Sequence, residues 1–113
     1  MADKYNGYTN FETWVVNLHL DNTQATQEEW QEEARACLET AQEDLESVSD
    51  VPFDEERVRR DAVYILADLM KDAIGVEECP ELPGLYGDLL RAALSEVNWQ
   101  EIARNYIANL ETA

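Results

Sequence analysis

The sequence predicts an all-α fold: a single-domain bundle of about five helices over residues 1–113, with a short N-terminal hairpin that could precede the first helix. Apolar residues recur with the 3.6-residue period of a helix in several stretches. Proline, glycine and asparagine residues separate these stretches, as is typical of turns. At 113 residues and 45% hydrophobic content, the chain is large and apolar enough to bury one modest core. A folded bundle is therefore favoured over a disordered chain, in spite of the high charge.

The N-terminal segment is predicted to form a tight turn followed by a short helix. Asn6 and Gly7 are a strong turn signal and could close a small hairpin between the residues on either side. The helix is expected from about Asn10 to Leu20, with Thr9 as its cap and Asn10 as a competing cap. A strand is the weaker alternative, because adjacent valines lower the helix propensity. The expected inner face of this helix carries Phe11, Trp14, Val15 and Leu18.

The second helix is expected from Thr26 to Ser47, with Thr26 as its cap and Glu29 at the capping-box position. Its predicted buried stripe consists of Trp30, Ala34, Cys37, Leu38, Ala41 and Leu45. Its other faces hold eight carboxylates, named the acidic face: Glu28, Glu29, Glu32, Glu33, Glu39, Glu43, Asp44 and Glu46. Arg35 is the only base in the helix. Like charges four residues apart cost roughly 0.2–0.5 kcal/mol per pair, so the acidic face lowers the stability of the helix.

A third helix is expected after a connector from Ser47 to Phe53, which Pro52 interrupts. It should begin at an Asp54 cap, continue to about Ile74 and end at Gly75. Its predicted core residues are Val58, Ala62, Ile65, Leu66, Leu69 and Ala73.

Two further helices complete the predicted bundle. The fourth, over residues 85–94, is strongly apolar and is expected to be the most buried element. The fifth should begin at an Asn98 cap, with Glu101 at the capping-box position. Its predicted inner face carries Ile102, Tyr106 and Leu110.

The net charge of −17, from 25 acids and 8 bases, limits the function classes. Such a surface repels nucleic acid and anionic membranes, so direct binding to either is not expected. No apolar run is long enough to cross a bilayer and no signal peptide is recognisable, so a cytoplasmic location is expected. Cys37 and Cys79 have neither metal-binding nor redox spacing, and Cys37 is expected to be a small core residue.

Two segments of the chain carry a recognisable pattern. Residues 5–14 read YNGYTNFETW and are followed by Asn17 and Leu18; residues 94–103 read LSEVNWQEIA. The first segment resembles the opening of a family of small acidic proteins of bacteriophages and other mobile elements, with the pattern N-G-[YW]-T-N-[YF]-x-T-W. The second is similar to a segment near the end of such proteins. No activity is established for that family, so the resemblance implies a mobile-element origin and, with it, interference with host machinery.

No constellation of residues indicates an enzyme. His19, the only histidine, is interpreted as a residue at the edge of the core, and the spacing does not support its pairing with a nucleophilic cysteine. The sequence has no phosphate-binding glycine loop, nucleophile elbow, zinc signature or calcium loop. No cofactor and no metal is therefore expected, and a small hydrolase that uses His19 is a remote third hypothesis.

Two other groups of residues have both a structural and a binding interpretation. The aromatic residues of the N-terminal segment are Tyr5, Tyr8, Phe11 and Trp14. We interpret them as packing that segment onto the helices, with an exposed anchor for a protein partner as the alternative. Arg57, Arg59 and Arg60 are interpreted as a partial offset to the acidic helix rather than as a binding site.

The acidic face is the strongest functional signal. Residues 21–56 hold 13 acids and one base. The second helix would be roughly 30 Å long, and its charge density approaches that of a nucleic-acid strand with a phosphate every ~3.4 Å. The first hypothesis is therefore a non-enzymatic inhibitor from a phage or mobile element, an anti-CRISPR or anti-restriction protein. Its acidic face would mimic nucleic acid and block the basic groove of a host protein or ribonucleoprotein complex.

The alternative hypothesis is a structural or regulatory protein-interaction module. Such a module could be a homodimer joined through aromatic and leucine side chains, and its acidic face would only confer solubility. Ionic strength separates the two hypotheses, because a charge mimic loses affinity in salt and an apolar interface does not.

Overall fold

The computed structural model describes residues 5–48, 52 and 54–112, and these residues form an all-α bundle of five helices. The helices are α1, Phe11–Asn22; α2, Gln24–Glu46; α3, Glu55–Asp72; α4, Gly84–Ser95; and α5, Trp99–Thr112. A π-helical turn, Ala73–Glu77, continues directly from α3. The predicted fold class is thus confirmed, while most of the predicted connector from Ser47 to Phe53 lies outside the described residues. Across the described ranges, no helix combines the length and the apolar character needed to span a membrane.

Three long helices build the core. α2, α3 and α5 each pack against the other two, and α1 packs against α2 and α5. The largest side chains that are fully buried are Leu66, Met70, Ile102 and Thr13. The predicted stripe of α2 is confirmed: five of its six residues are buried, and Leu38 is half-buried against them.

The buried face of α1 differs from the predicted one. Thr13, Asn17 and Leu20 are buried, whereas Phe11 is 49% exposed and the other three predicted residues are half-buried. Two polar side chains occupy the inner side because they make hydrogen bonds there, as described below. Apolar periodicity does not detect a buried polar residue of this kind.

The second helix begins earlier than predicted. Its N-cap position is Thr23, in an extended conformation, and the first helical residue is Gln24. The backbone N–H of Gln27 already donates to the carbonyl of Thr23 at 2.9 Å, so Thr26 lies inside the first turn and is not the cap. The prediction was wrong because the chain leaves α1 through a single extended residue and needs no further turn.

The third helix is capped as predicted but faces the core differently. The side chain of Asp54 accepts hydrogen bonds from the backbone N–H groups of the first turn. Leu69 is 40% exposed, while Ala67 and Met70 are buried in its place. Gly75 does not end the helix in the left-handed conformation. Instead, the π-helical turn extends past it, and the N–H of Glu78 donates to the carbonyl five residues before it, at 2.8 Å.

The fourth helix was predicted to be the most buried element, and this prediction was wrong. Only Gly87 is buried in α4, and Leu85, Tyr86 and Leu89 are 67%, 72% and 58% exposed. A Cβ atom at Gly87 would lie 1.8 Å from the carbonyl oxygen of Leu82, so the preceding loop touches the helix backbone where only glycine fits. That loop, rather than another helix, covers the inner side of α4. The apolar composition of α4 therefore does not indicate that the helix is buried.

Candidate functional site

The N-terminal pattern begins with a two-residue turn. Tyr5 and Tyr8 exchange two backbone hydrogen bonds of 2.7 and 2.8 Å, across Asn6 and Gly7 with φ values of 49° and 90°. Positive φ at both central residues is characteristic of a type I′ turn, for which Asn-Gly is a favoured sequence. The hairpin that the sequence allowed is present as a single antiparallel bridge.

The start of α1 is bonded to the chain around the start of α5. Asn10 is the N-cap of α1, and its Oδ1 accepts from the backbone N of Thr13 at 2.9 Å and from the Thr13 hydroxyl at 2.6 Å. The Nδ2 of Asn10 donates to the carbonyl of Glu96 at 2.7 Å. Thr9 is not the cap: its backbone N–H donates to the carboxylate of Glu101 at 2.9 Å. The competing cap of the sequence analysis is therefore the correct one.

The start of α5 returns these contacts. Asn98 caps α5, as predicted, by accepting from the N–H of Glu101 at 3.1 Å. Its own backbone N–H donates to the hydroxyl of Thr13 at 2.8 Å, and its Nδ2 donates to the hydroxyl of Thr9 at 3.3 Å. These bonds form a unit, named the clasp: Thr9, Asn10, Thr13, Glu96, Asn98 and Glu101. The two patterned segments of the sequence therefore meet in the fold, and their polar residues have a structural role.

A second polar cluster joins the end of α1 to α5. Asp21 accepts from the hydroxyl of Tyr106 at 3.0 Å and from the amide of Asn17 at 2.9 Å. Burial, followed by the hydrogen bond to Asp21, raises the pKa of Tyr106 above its usual range. The Oδ1 of Asn17 is buried and has no hydrogen-bond partner among the described residues. These groups line a cleft of about 290 Å³ beside Tyr8, whose pKa is also raised, chiefly by burial.

The acidic face lies entirely in solvent. All eight of its carboxylate side chains belong to exposed residues, and the buried stripe occupies the opposite side of α2. From Glu28 to Glu46 the helix rises by about 27 Å, at ~1.5 Å per residue. At ~100° per residue, five of the eight carboxylates fall within an arc of roughly 60°; these are Glu28, Glu32, Glu39, Glu43 and Glu46. The predicted site residues therefore share one surface.

Arg35 is the only base of α2, and at ~100° per residue it falls within about 20° of Glu28 and Glu46, so it offsets one of the eight charges. The ion pairs among the described residues join side chains within α3 and within α4, so none of them neutralises the acidic face. Gln24 donates to Glu28 at 2.9 Å and Gln42 donates to Glu46 at 3.2 Å. These amides orient two carboxylates without changing their charge. Beneath the face, burial and the charge of Glu33 raise the pKa of the Cys37 thiol to about 11.

The arginines of α3 pair on their own helix. Arg57 lies 3.9 Å from Asp61, and Arg59 lies 2.9 Å from Glu55. Exposed pairs of this kind contribute little stability, and both offset acids of α3 itself. Arg59 and two further arginines also line a cleft of about 440 Å³ between α3 and α5. Four arginines therefore lie on α3 and α5, whereas α2 carries Arg35 alone.

Five of the ten large hydrophobic side chains that are exposed among the described residues lie on α4 or on the segment before it. They are Val76, Leu82, Leu85, Tyr86 and Leu89, each between 40% and 72% exposed. α4 and the loop before it enclose an open groove of about 590 Å³ that Val76 and Leu82 also line. Apolar periodicity predicted Leu85 and Leu89 to lie in the core, and their exposure is therefore a correction to that prediction.

The remaining candidates show no catalytic arrangement. His19 is exposed near the end of α1 and does not lie at the edge of the core as expected. Tyr5, Phe11 and Trp14 form three ring contacts with centroids 5.0–5.8 Å apart, and the first two remain 41% and 49% exposed. They pack chiefly on one another. Within the described part of the chain, no three His, Cys, Asp or Glu side chains converge to hold a metal ion.

Comparison with known proteins gives one match. The model of a family of unknown function (DUF7249) matches residues 1–76, which include α1, the acidic face and α3. No curated protein and no solved structure matches the chain. The matched residues therefore contain the N-terminal half of the clasp, while its partner residues on and before α5 lie outside the match.

Proposed function

We propose that this chain, which belongs to the DUF7249 family of unknown function, is a non-enzymatic inhibitor of a host nucleic-acid-binding defence complex. The inhibitor would come from a phage or mobile element and act as an anti-CRISPR or anti-restriction protein. One observation carries the proposal: eight exposed carboxylates lie on one side of a single helix and none of them is in an ion pair with a described residue.

The spacing of these carboxylates supports nucleic-acid mimicry. Eight charges along a rise of about 27 Å give roughly one charge every 4 Å, and one DNA strand carries a phosphate every ~3.4 Å. The packed stripe of α2 holds the helix rigid against α3 and α5, so the charges need no ordering when they bind. A groove that is lined with Lys and Arg would attract this surface by long-range steering and hold it at short range.

The mechanism is occlusion. The acidic face would occupy the basic groove that normally receives DNA or RNA, and the bound protein would exclude the substrate without any covalent step. The role requires no cofactor. Mimicry would also explain why α2 keeps carboxylates that repel each other four residues apart, because such pairs lower the stability of the helix.

A phage-plating experiment tests the proposal. Hosts that carry a CRISPR–Cas system or a restriction enzyme would express the protein, and the efficiency of plating of a targeted phage would be measured. The natural protein should restore plating. A variant with Glu32→Gln, Glu33→Gln, Glu39→Gln and Glu43→Gln should lose this effect, because half of the acidic face is then neutral.

A matched control separates the acidic face from net charge. The substitutions Asp72→Asn, Glu77→Gln, Glu78→Gln and Glu81→Gln remove four exposed acids outside α2. Both variants change the net charge from −17 to −13 by loss of four charges. Only the α2 variant should lose inhibition, and its affinity for the purified target should fall by about tenfold or more. Full inhibition by the α2 variant would show that the acidic face is not the interface.

A further inference from the structure

We infer that the cleft between α3 and α5 is a binding site for a nucleoside monophosphate. Its volume of about 440 Å³ lies within the range of about 300–1,000 Å³ that is usual for small-molecule sites. Among the described residues that line it, none is an acid, although the chain has 25 acids and 8 bases. Three of those bases line this one cleft: Arg59, Arg60 and Arg104.

The cleft has an apolar floor and a polar rim. α3 and α5 pack directly against each other. Arg60 and Tyr64 lie one turn apart on α3, and Arg104 and Ile107 lie one turn apart on α5, so each pair shares one side of its helix. Ile107 is buried and Val63 is half-buried, whereas the two arginines and Tyr64 are exposed. A ligand can therefore contact apolar atoms below and charged groups above.

Two of the three arginines are free to bind an anion. Arg59 already pairs with Glu55 at 2.9 Å. Within the described ranges, no ion pair or hydrogen bond engages the side chain of Arg60 or Arg104. A guanidinium group binds phosphate oxygens through two parallel hydrogen bonds, and a phosphate monoester carries close to two negative charges at neutral pH. Two unpaired arginines match that charge.

The acids beside these arginines along the helices are directed to other partners or lie outside the cleft. Asp61 lies 3.9 Å from Arg57. The carboxylate of Glu101 accepts from the backbone N–H of Thr9 at 2.9 Å. Glu56, one turn before the cleft on α3, is exposed and does not line it. The charge that an anion meets inside the cleft is therefore positive.

The remaining lining groups suit a nucleobase. The side chain of Tyr64 is 52% exposed, so its ring can stack on a planar base. Val63 and Ile107 supply apolar surface, and the amide of Gln100 can both donate to and accept from the edge of a base. Inorganic phosphate would leave these groups unused, and a nucleoside without phosphate would leave the arginines unpaired.

The rest of the surface restricts the ligand to a small one. A nucleic-acid strand that continued beyond the cleft would meet a chain of net charge −17 and be repelled. A mononucleotide has one phosphate held close to two arginines, and charges more than ~8 Å away are largely screened at physiological ionic strength. Arg60 then has a binding role, where the sequence had been interpreted as offsetting the acidic helix. The inference does not rest on the proposed function, because no carboxylate of the acidic face lines the cleft.

An NMR titration of the natural protein tests the inference. The probes are the four common ribonucleoside monophosphates, adenosine and inorganic phosphate, each added separately. Backbone amide shifts report both the dissociation constant and the residues that are affected. At least one monophosphate should shift the amides around the cleft to saturation. It should bind about tenfold or more tightly than adenosine or phosphate, because only the monophosphate uses both halves of the site.

A pair of matched variants identifies the phosphate-binding groups. Arg60→Gln with Arg104→Gln should weaken binding of the monophosphate by about tenfold or more, since hydrogen bonds from two charged groups are lost. Arg35→Gln with Lys71→Gln removes two exposed bases outside the cleft. Each variant changes the net charge from −17 to −19 by loss of two charges, and the second should bind as the natural chain does. Circular dichroism checks that both fold.

Variants of Tyr64 identify the base-binding half. Tyr64→Ala should weaken the monophosphate several-fold and leave any binding of inorganic phosphate unchanged, because stacking involves the base alone. Tyr64→Phe keeps the ring and should retain the affinity of the natural chain. Equal affinity of the Ala and Phe variants would contradict stacking on this residue.

Three further results would overturn the inference. The first is that no monophosphate shifts the amides of the cleft at millimolar concentration. The second is inorganic phosphate that binds as tightly as the monophosphates, which would reduce the cleft to a contact for simple anions. The third is an equal loss in both charge variants, which would trace binding to net charge. None of these results concerns the acidic face, whose variants are measured by phage plating, so the two proposals fail separately.

Discussion

Thr13 joins two helix ends through one hydroxyl group. That hydroxyl donates to Asn10 at 2.6 Å and accepts from the backbone of Asn98 at 2.8 Å, and the residue is 0% exposed. Loss of the oxygen would leave the N–H group of Asn98, in a part-buried hydrogen bond, without this partner, and a donor that is left unsatisfied on burial costs about 1–3 kcal/mol. The small side chain of Thr13 is therefore expected to contribute more to stability than its buried apolar area alone would.

We expect Thr13→Val, which keeps the shape and removes the oxygen, to lower the free energy of unfolding by about 2 kcal/mol. Urea denaturation measures this loss. The control is Thr9→Val, because the hydroxyl of Thr9 is exposed and accepts only the 3.3 Å bond from Asn98; its loss should stay below about 1 kcal/mol. Equal losses for the two variants would contradict the role assigned to Thr13.

Cys37 gives the protein a weakness at alkaline pH. Burial, and to a lesser extent Glu33, raises the pKa of the folded thiol to about 11, while an unfolded cysteine titrates near pH ~8.5. Between these values the unfolded chain has released a proton that the folded chain retains. The unfolded state then binds fewer protons, so the free energy of unfolding falls as the pH rises.

We expect the stability from this group to be complete below about pH 8 and to decline between about pH 8.5 and 11. Tyr106, whose pKa is also raised, acts in the same direction from about pH 10. Urea denaturation at pH 7.5, 9 and 10 measures the decline. The variant Cys37→Ala should show a shallower slope, and a slope equal to that of the natural chain would exclude Cys37 as the cause.

At the scale of the element, α2 combines a stabilising side with a destabilising one. Its buried stripe joins the three long helices of the core. Its solvent side holds like charges four residues apart, such as Glu39 and Glu43. A helix selected only for stability would alternate acids with lysines on this side. The acidic face therefore lowers the free energy of unfolding, and this loss can be measured.

We expect the variant Glu32→Gln, Glu33→Gln, Glu39→Gln, Glu43→Gln to be more stable than the natural chain. Three repelling pairs are relieved at roughly 0.2–0.5 kcal/mol each, while the favourable spacings of Arg35 to Glu32 and Glu39 are lost, so the net gain is a few tenths of a kcal/mol. Thermal unfolding should show a melting temperature about one to two degrees higher. The control variant at Asp72, Glu77, Glu78 and Glu81 should gain less, because it relieves fewer helical pairs; an equal gain would assign the effect to net charge.

α4 shows what apolar periodicity leaves open. Its leucines have the spacing of a buried stripe, which predicted that they lie in the core. Periodicity reports that a helix has an apolar side, but not what covers that side. Burial of Leu85 would have required a helix beside it, and the loop that does pack on α4 contacts the opposite side at Gly87.

At the scale of the whole molecule, the features that could be predicted are the local ones. The stripe of α2 and the caps Asp54 and Asn98 follow from residues within one or two helical turns, and all are confirmed. The buried polar side of α1 and the clasp depend on partners that lie 85–92 positions away. No spacing rule connects residues that distant. The acidic face was predicted as a surface because charge marks solvent exposure on a helix.

The clasp also has a consequence for the order in which the protein folds. Thr9 leaves the ribosome long before Glu101, its partner 92 positions later. During synthesis the turn and the cap of α1 can make their local hydrogen bonds, but the bonds from Thr9, Asn10 and Thr13 to residues 96–101 can form only after the start of α5 has emerged. Contacts this distant in sequence slow folding, since a large loop must close before they form. The N-terminal segment, which is synthesised first, therefore completes its hydrogen bonds only with residues that are synthesised near the end of the chain.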